Sequence, residues 1–473
     1  MTKKLIYILL VSLMISCHSK EDNMKIVFTG DVMPDRGVND QLRLHGDSLL
    51  LQSFNFLQDQ DFLIVNLEGV LTDSETGRDR KYNFKTHPSK AALLKDAGIT
   101  HVSIANNHIF DYGKTGYDNT IKALEANNLN ALGHLAQPSI IQKGTASCAV
   151  LSASLTTHNE ALPISTIDEL KASITAFTEH SADMPLVLYI HWGLELQPVP
   201  EKWQTDLARE LIDLGVDAII GHHPHVTQTM EFVNNKPVFY SLGNFIADAY
   251  LPDTDLSYVV ELDINNTIEA INIIPVQLKR YFPEPLLYQQ QIPDLQKHVQ
   301  YSSIGLYKQG EKWAVKPSKD IDFSENTDTW MLSSAETNTV STIKKLNDDS
   351  FLLSFQKEGE TANVLNLHGK LSEYHVSDIN NNGDIDILVG IDKKVKFDPI
   401  EKKRINIYTF RDNALEPLWL GTKFINDIVS FSIINHNNRN YLATVEITNE
   451  NEKVERVYEW DDFGFALTTL NTK

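Results

Sequence analysis

Only two cysteines, Cys17 and Cys148, occur in the 473 residues. At most one disulfide can form, and there is too little thiolate for a structural zinc cluster. Basic charge is also scarce: 42 Lys and Arg stand against 63 Asp and Glu, a net charge of −21. That balance argues against a nucleic-acid binder, which needs a basic face to displace counterions from phosphates. It does not exclude a small anionic substrate, because one local metal site can outweigh the overall field. No segment after Cys17 is apolar enough to span a membrane. The chain also lacks a P-loop, a Rossmann glycine fingerprint and a G-x-S-x-G elbow, so nucleotide-driven ligation is not expected here. What is present is an ordinary globular composition, 42% hydrophobic and 22% charged. At about 100–200 residues per domain, two or three domains fit the length.

The N-terminus is organised differently. Lys3 and Lys4 open it, Leu5 to Ile15 is an apolar run, and Ser16-Cys17 follows. The run is short for a spanning helix and suits a signal-peptide core. Leu13-Met14-Ile15-Ser16-Cys17 resembles a bacterial lipobox, with Met14 where Leu is usual. That resemblance implies lipidation at Cys17 and leaves Cys148 unpaired. The expected division is a signal peptide at 1–16, a polar tether at 17–24, an α/β domain at 25–282, a linker at 283–330 and a β-rich domain at 331–473.

Within 25–282, short β-branched runs alternate with amphipathic stretches. Strands are predicted at Lys25–Thr29, Phe62–Val65, His101–Ile104, Pro185–Ile190, Ala218–Ile220 and Pro237–Tyr240. Helices are predicted at Lys90–Asp96, Asn119–Ala126 and Glu201–Leu214, the last with Leu207, Leu211 and Leu214 on one face. This rhythm indicates an α/β fold class. Polar clusters follow the strands at Asp31, Asn66 to Glu68, Asn106 to His108, His191, His222 to His225 and Ser241 to Phe245. Side chains at the carboxyl ends of neighbouring strands converge on one rim, where open α/β sheets build sites.

Asp31 and Glu68 offer carboxylates, Asn107 an amide oxygen, and His191, His223 and His225 imidazoles. A lone strand-end Asp is most often a cap, and a lone histidine beside Trp192 most often a buried core residue. Three histidines between Gly221 and Val226 are harder to explain that way. Alternate residues in an extended loop, as in His223-Pro224-His225, can turn toward one point. Mixed carboxylate, amide and imidazole donors suit Mn, Fe or Zn better than Ca, with one or two ions.

The stretches Phe28–Met33, Val65–Gly69, Ala105–Gly113, Ile190–Glu195, Gly221–Val226 and Tyr240–Phe245 resemble, in order, those of the CapA family. This is the poly-γ-glutamate capsule-synthesis branch of the calcineurin-like metallophosphatases. The resemblance covers roughly half the chain. It implies a four-layer α/β/β/α sandwich with Asp31, Glu68, Asn107, His191, His223 and His225 as metal ligands. Glu68 would bridge two ions, His191 and His223 would hold one, and His225 the other. His108 would be the general acid beside Asn107, the two forming the catalytic pair. Met33 stands where the wider superfamily has a histidine, and Glu68 where it has an aspartate, so one ion or two remain open. Arg36, Asn66, Asp111, Glu195, His222 and Asn244 are expected to orient ligands or meet substrate, and Arg78–Lys85 to supply further cations.

Beyond Phe282 the chain turns rich in Asn, Ser, Thr and aromatics, and should be mostly β. A weak repeat relates Asn406–Phe410 to Arg456–Trp460, with Asn363–Leu367 as a third copy. Asp378, Asn380, Asn382, Asp384 and Asp386 alternate around Gly383 like a calcium loop, and the segment resembles an FG-GAP β repeat. The function expected is metal-dependent hydrolysis or transfer on an anionic surface polymer or its precursor, by a protein exported and lipid-anchored to the bacterial envelope. The bond would be a phosphoester or a γ-glutamyl amide. The alternative is a non-enzymatic capsule assembly or export factor that binds polymer in the metal cleft and docks assembly proteins.

Overall fold

The computed structural model describes residues 23–57, 59–157, 161–248, 251–299, 303–325, 327–395, 398–420, 424–462 and 464–468. The expected signal peptide, most of the expected tether and Cys17, the expected lipidation site, lie outside them.

Two sheets pack face to face. In the first, Asn130–Leu132, His101–Ser103, Phe62–Leu67 and Met24–Val32 run parallel, and Leu256–Ile264 joins antiparallel. In the second, Ala146–Ser154, Leu186–His191, Ala218–His222 and Lys236–Phe239 are parallel, with Ser139–Lys143 and Met230–Val233 antiparallel at the edges. Strand alternation sorts the side chains by layer. Ile26 and Phe28 meet Val187, Tyr189 and Ile220 between the sheets. Val27, Leu63 and Val102 face outward against Val38, Leu94 and Leu124 of the helices on one side. On the other side, Leu188 and Ile219 pack on Leu170, Leu207 and Leu211. The result is the expected four-layer α/β/β/α sandwich. The Tyr189 hydroxyl ties the sheets together, donating to the Thr29 carbonyl at 2.7 Å.

The stretch 283–330 is not a linker. It contains the helix Tyr288–Val299 and the hairpin Ile304–Gln309 with Lys312–Pro317, which pairs with Ile268–Lys279 and so extends the first sheet. Leu295, Leu306, Trp313 and Val315 sit in the core between the sheets. Thr329–Ser334, Thr339–Asn347 and Ser350–Lys357 continue the same sheet without a break.

Two further four-stranded antiparallel sheets follow, Lys370–Ser377 through Ala414–Leu420 and Asp427–His436 through Gly464–Thr468. Asn406–Phe410 and Arg456–Trp460 lie in the third strand of their respective sheets, Asp398–Arg411 and Lys453–Asp461. Asn363–Leu367 does not match them. It runs into Leu365–His368, which pairs outside Ser350–Lys357, so the third copy is out of phase by a strand. The region is β-rich as expected. Cys148 is buried as a free thiol, and burial pushes its ionisation far up, which leaves it chemically quiet.

His101, at the head of its strand, is buried, and burial together with nearby Lys95 lowers its pKa from 6.5 to about 4. Between those values the unfolded chain takes up a proton that the folded chain refuses. Stability therefore falls as pH drops from 6.5 to about 4, by roughly 3 kcal/mol for this group. Urea unfolding at pH 7.5 and 4.5 should show that loss in the wild type and a correspondingly smaller one in His101→Gln. Equal losses would show that His101 is not the titrating group.

Candidate metal centre

The parallel strands of both sheets end at one rim. Asp31 is the penultimate residue of Met24–Val32, in register with Asn66 on one side and Asn244 on the other. Gly30 makes this possible: a Cβ there would lie 1.9 Å from the Gly243 carbonyl oxygen. His191 and His222 end adjacent strands in register. Beyond them His223 and His225 adopt positive φ angles of 104° and 58° on either side of Pro224. Such angles are costly for a residue with a Cβ, and here they accompany two imidazoles placed beside the buried carboxylates.

Asp31 is fully buried and surrounded by donors. Asn66 donates to its Oδ1 at 2.8 Å and the His223 backbone N–H to its Oδ2 at 3.2 Å. His222 Nδ1 lies 3.2 Å from Oδ1 and His225 Nδ1 3.4 Å from Oδ2. Burial alone would raise the pKa of Asp31, but the hydrogen bonds and charges of His222 and His225 outweigh it and hold the carboxyl well below the usual range.

Glu68 is the contrast. It is 1% exposed, yet neither carboxylate oxygen has a hydrogen-bond partner. Nε2 of His225 lies 3.6 Å from its Oε1, and Nε2 of His108 and His191 each 3.8 Å. These distances are too long for hydrogen bonds. For His191 and His225, which belong to donor sets with Glu68, they suit an ion shared at about 2.0–2.2 Å from each. Burial, reinforced by Asp31, Glu195 and Asp111 against the pull of His225, pushes the Glu68 pKa well above normal. A buried, unpartnered carboxylate is expensive, and a cation would relieve it.

The histidines divide in the same field. Burial first, then His223 and His222, lower His191, and burial with His225 lowers His223 to about 3. Both are neutral and able to ligate. For His225, burial opposes charge, but Glu68 and Asp31 override it and raise the pKa to about 10. The carboxylates that would keep a proton there would equally attract a metal ion. Asp31, Glu68 and His225 form one set of donor atoms within 4.8 Å of one another, and Glu68, His191 and His223 another. Glu68 is common to both. Asn107 Oδ1 lies 2.9 Å from His191 Nε2. An orphaned bridging carboxylate, neutral imidazoles and an amide oxygen fit a divalent transition metal.

His108 sits at the edge of this cluster. Its Nδ1 is 2.7 Å from Asp111 Oδ2, which also accepts from the Phe84 backbone N–H at 2.8 Å. The other Asp111 oxygen accepts from Arg80 at 2.6 Å, and Arg80 also donates to the Asn107 carbonyl. Above the cluster opens a cavity of about 640 Å³, walled in part by Arg36, Lys81, Tyr82, Asn107, His108 and His225.

Residues 25–249 match the family described as bacterial capsule synthesis protein PGA_cap. This part of the chain belongs to that family. Among its relatives, the capsule biosynthesis protein CapA of Bacillus anthracis is 27% identical over 291 residues, 57% of this chain and 71% of that protein. The PGA biosynthesis protein CapA of Bacillus subtilis (strain 168) is 27% identical over 284 residues, 56% of this chain and 74% of that one. The PGA_cap match takes in Asp31, Glu68, Asn107, His108 and the four histidines from His191 to His225, and stops short of the C-terminal sheets.

The remaining candidates fall into place around the PGA_cap centre. Asn66 buttresses Asp31, and Asn244 Oδ1 lies 2.9 Å from His225 Nδ1. Arg36 reaches the cavity but pairs with Asp248 and lies over the Phe84 ring at 4.7 Å. Within Arg78–Lys85, Arg78 and Lys85 are engaged with Phe110 and Glu75, while Arg80 and Lys81 wall the cavity. His222 was read as an orienting residue. It is also one of a donor set with Asp31 and His191, its Nδ1 2.8 Å from His191 Nδ1. Its place at the last residue of a buried strand was the available signal.

In the Asp378–Asp386 loop most side-chain oxygens accept internal hydrogen bonds, while Asp386 Oδ1 is buried with no hydrogen-bond partner. Asp378 accepts from the backbone of Asn382 and Gly383, Asn380 Oδ1 from Asn382, Asn382 Oδ1 from Asp384, and Asp386 from Ile379 and Asn380. Arg411 occupies Asp384 at 2.7 Å.

Proposed function

We propose that this chain serves the biosynthesis of a poly-γ-glutamate or similar anionic surface polymer, and that its cleft performs metal-dependent hydrolysis or transfer on the polymer or its precursor. The observation that carries the chemistry is Glu68, a buried carboxylate with no hydrogen-bond partner, set among three imidazoles of which two, His108 and His225, wall an open cavity. The names of the Bacillus relatives support the pathway. A divalent ion held by Asp31, Glu68, Asn107, His191, His223 and His225 would supply Lewis-acid polarisation of an acyl or phosphoryl oxygen.

The chain's own residues do the rest. Asp111 fixes the His108 ring through Nδ1, so that Nε2 faces the cleft and can pass a proton to the leaving group. Arg80 holds Asp111 in turn and ties the 78–84 segment to the same carboxylate. Asn107 presents its amide beside His191, where it can orient the reacting group. Arg36 and Lys81 at the mouth favour an anionic chain despite the protein's overall charge. Lipidation at Cys17 would anchor the domain to the envelope, where such a polymer is made.

The test is complementation. Deleting the gene from the organism that encodes it should reduce surface polymer. The wild-type chain should restore the polymer and His223→Ala should not. Unchanged polymer after deletion would overturn the proposed pathway. Full restoration by His223→Ala would overturn a role for the metal cleft.

A further inference from the structure

Glu195 was expected to orient ligands or meet substrate, but its surroundings give it a more direct role. It lies in the loop that follows the strand Leu186–His191. Gly193 has φ +90°, and a Cβ there would come within 2.6 Å of the Gln204 side chain. Leu196, at φ +60°, donates its backbone N–H to the Pro224 carbonyl at 2.8 Å. Gln228 Nε2 donates to the Gln197 carbonyl at 2.8 Å. These two hydrogen bonds pin the Glu195 loop to the segment that carries His223 and His225.

As a result, a carboxylate oxygen of Glu195 and ligand nitrogens of His223 and His225 all lie within 4.8 Å of one another. Glu195 also walls the cavity. It makes no hydrogen bond and no pair with Lys or Arg among the described residues, although it is exposed enough to turn elsewhere. It stands instead in the field of Glu68, which its charge disfavours. Carboxylates brought together without a cation repel one another, and a divalent ion removes that cost. Met33, on the same cavity wall, offers only a soft thioether, a poor donor for Mn, Fe or Zn.

Resting on the metal reading above, we infer that Glu195 is itself a metal ligand, closing the cleft side of the centre together with His223 and His225. It would share these histidines with the two deeper donor sets built around Glu68. The role is separable from substrate contact, because a ligand affects metal uptake with no substrate present.

The experiment uses the purified full chain, stripped with chelator and titrated with Mn²⁺ by calorimetry, with metal content measured after desalting. Glu195→Gln should weaken one ion by at least about tenfold or lose it, and Glu195→Asp should fall between. Glu210→Gln, on the helix Lys202–Asp213 away from the cleft, should match the wild type. Wild-type count and affinity in Glu195→Gln would overturn the assignment while leaving the metal centre intact. A wild-type chain that takes up no metal would overturn the centre itself, and the role of Glu195 with it.

Discussion

Glu68→Gln should make the metal-free protein more stable and the metal-loaded protein less so. In the metal-free chain Glu68 is buried without a partner, and burial with three nearby carboxylates drives its pKa well above the ordinary carboxylate range. The unfolded chain ionises near its ordinary value, while the folded chain keeps the proton. Stability therefore falls as pH rises from that value through the raised folded pKa. Gln has nothing to titrate, so in chelator the variant should be the more stable by about 1–3 kcal/mol, with the gap widening as pH rises. With Mn²⁺ at a hundred times its dissociation constant, the wild type should gain about 2.7 kcal/mol, and Glu68→Gln little of it. Thermal melts with and without metal across pH 5–8 will show the two curves change order. If metal stabilises both proteins equally, Glu68 is not a ligand.

His108→Gln should leave metal content unchanged and lower turnover of the polymer by about 10²–10⁴-fold, the usual worth of a positioned general acid. The geometry separates it from the ligands: it belongs to none of the donor sets around Glu68, its Nδ1 is committed to Asp111, and its ring lines the cavity wall. Asp111→Asn should reduce turnover in the same direction but less. Asp111 uses two oxygens to accept from Arg80, His108 and the Phe84 backbone, and an amide has a single acceptor oxygen. Turnover and elemental analysis on the same preparations decide the matter. Loss of metal in His108→Gln would make the residue a ligand, and unchanged turnover would remove it from the chemistry.

The sandwich was legible because strands covered on both faces read as short apolar runs, and because chemistry-bearing residues follow them at a fixed place. Val27 and Phe28 face opposite layers, yet both are apolar, which marks a strand buried on each side. The hairpin Leu256–Ile264 with Ile268–Lys279 went unread within the α/β pattern, and the 283–330 segment was misread. There two short buried runs, Ile304–Tyr307 and Trp313–Val315, flank a polar turn at Gly310, and local composition carries no sign that this hairpin joins a sheet begun at residue 24. The third repeat copy failed for a related reason. A five-residue pattern marks a strand but not which strand of a meander it is.

The sequence by itself determined the layered α/β class, the β-rich C-terminal half and the set of donor residue types, because periodicity and residue chemistry are local properties. Only the tertiary structure decided that Glu68 has no partner, that Arg36 and Arg80 are already paired, that Arg411 pairs with Asp384 and that Glu195 faces His223 and His225. Each of these depends on contacts between segments far apart in the chain. Whether a charge is satisfied is a property of its neighbours in space, and no spacing along the chain records it.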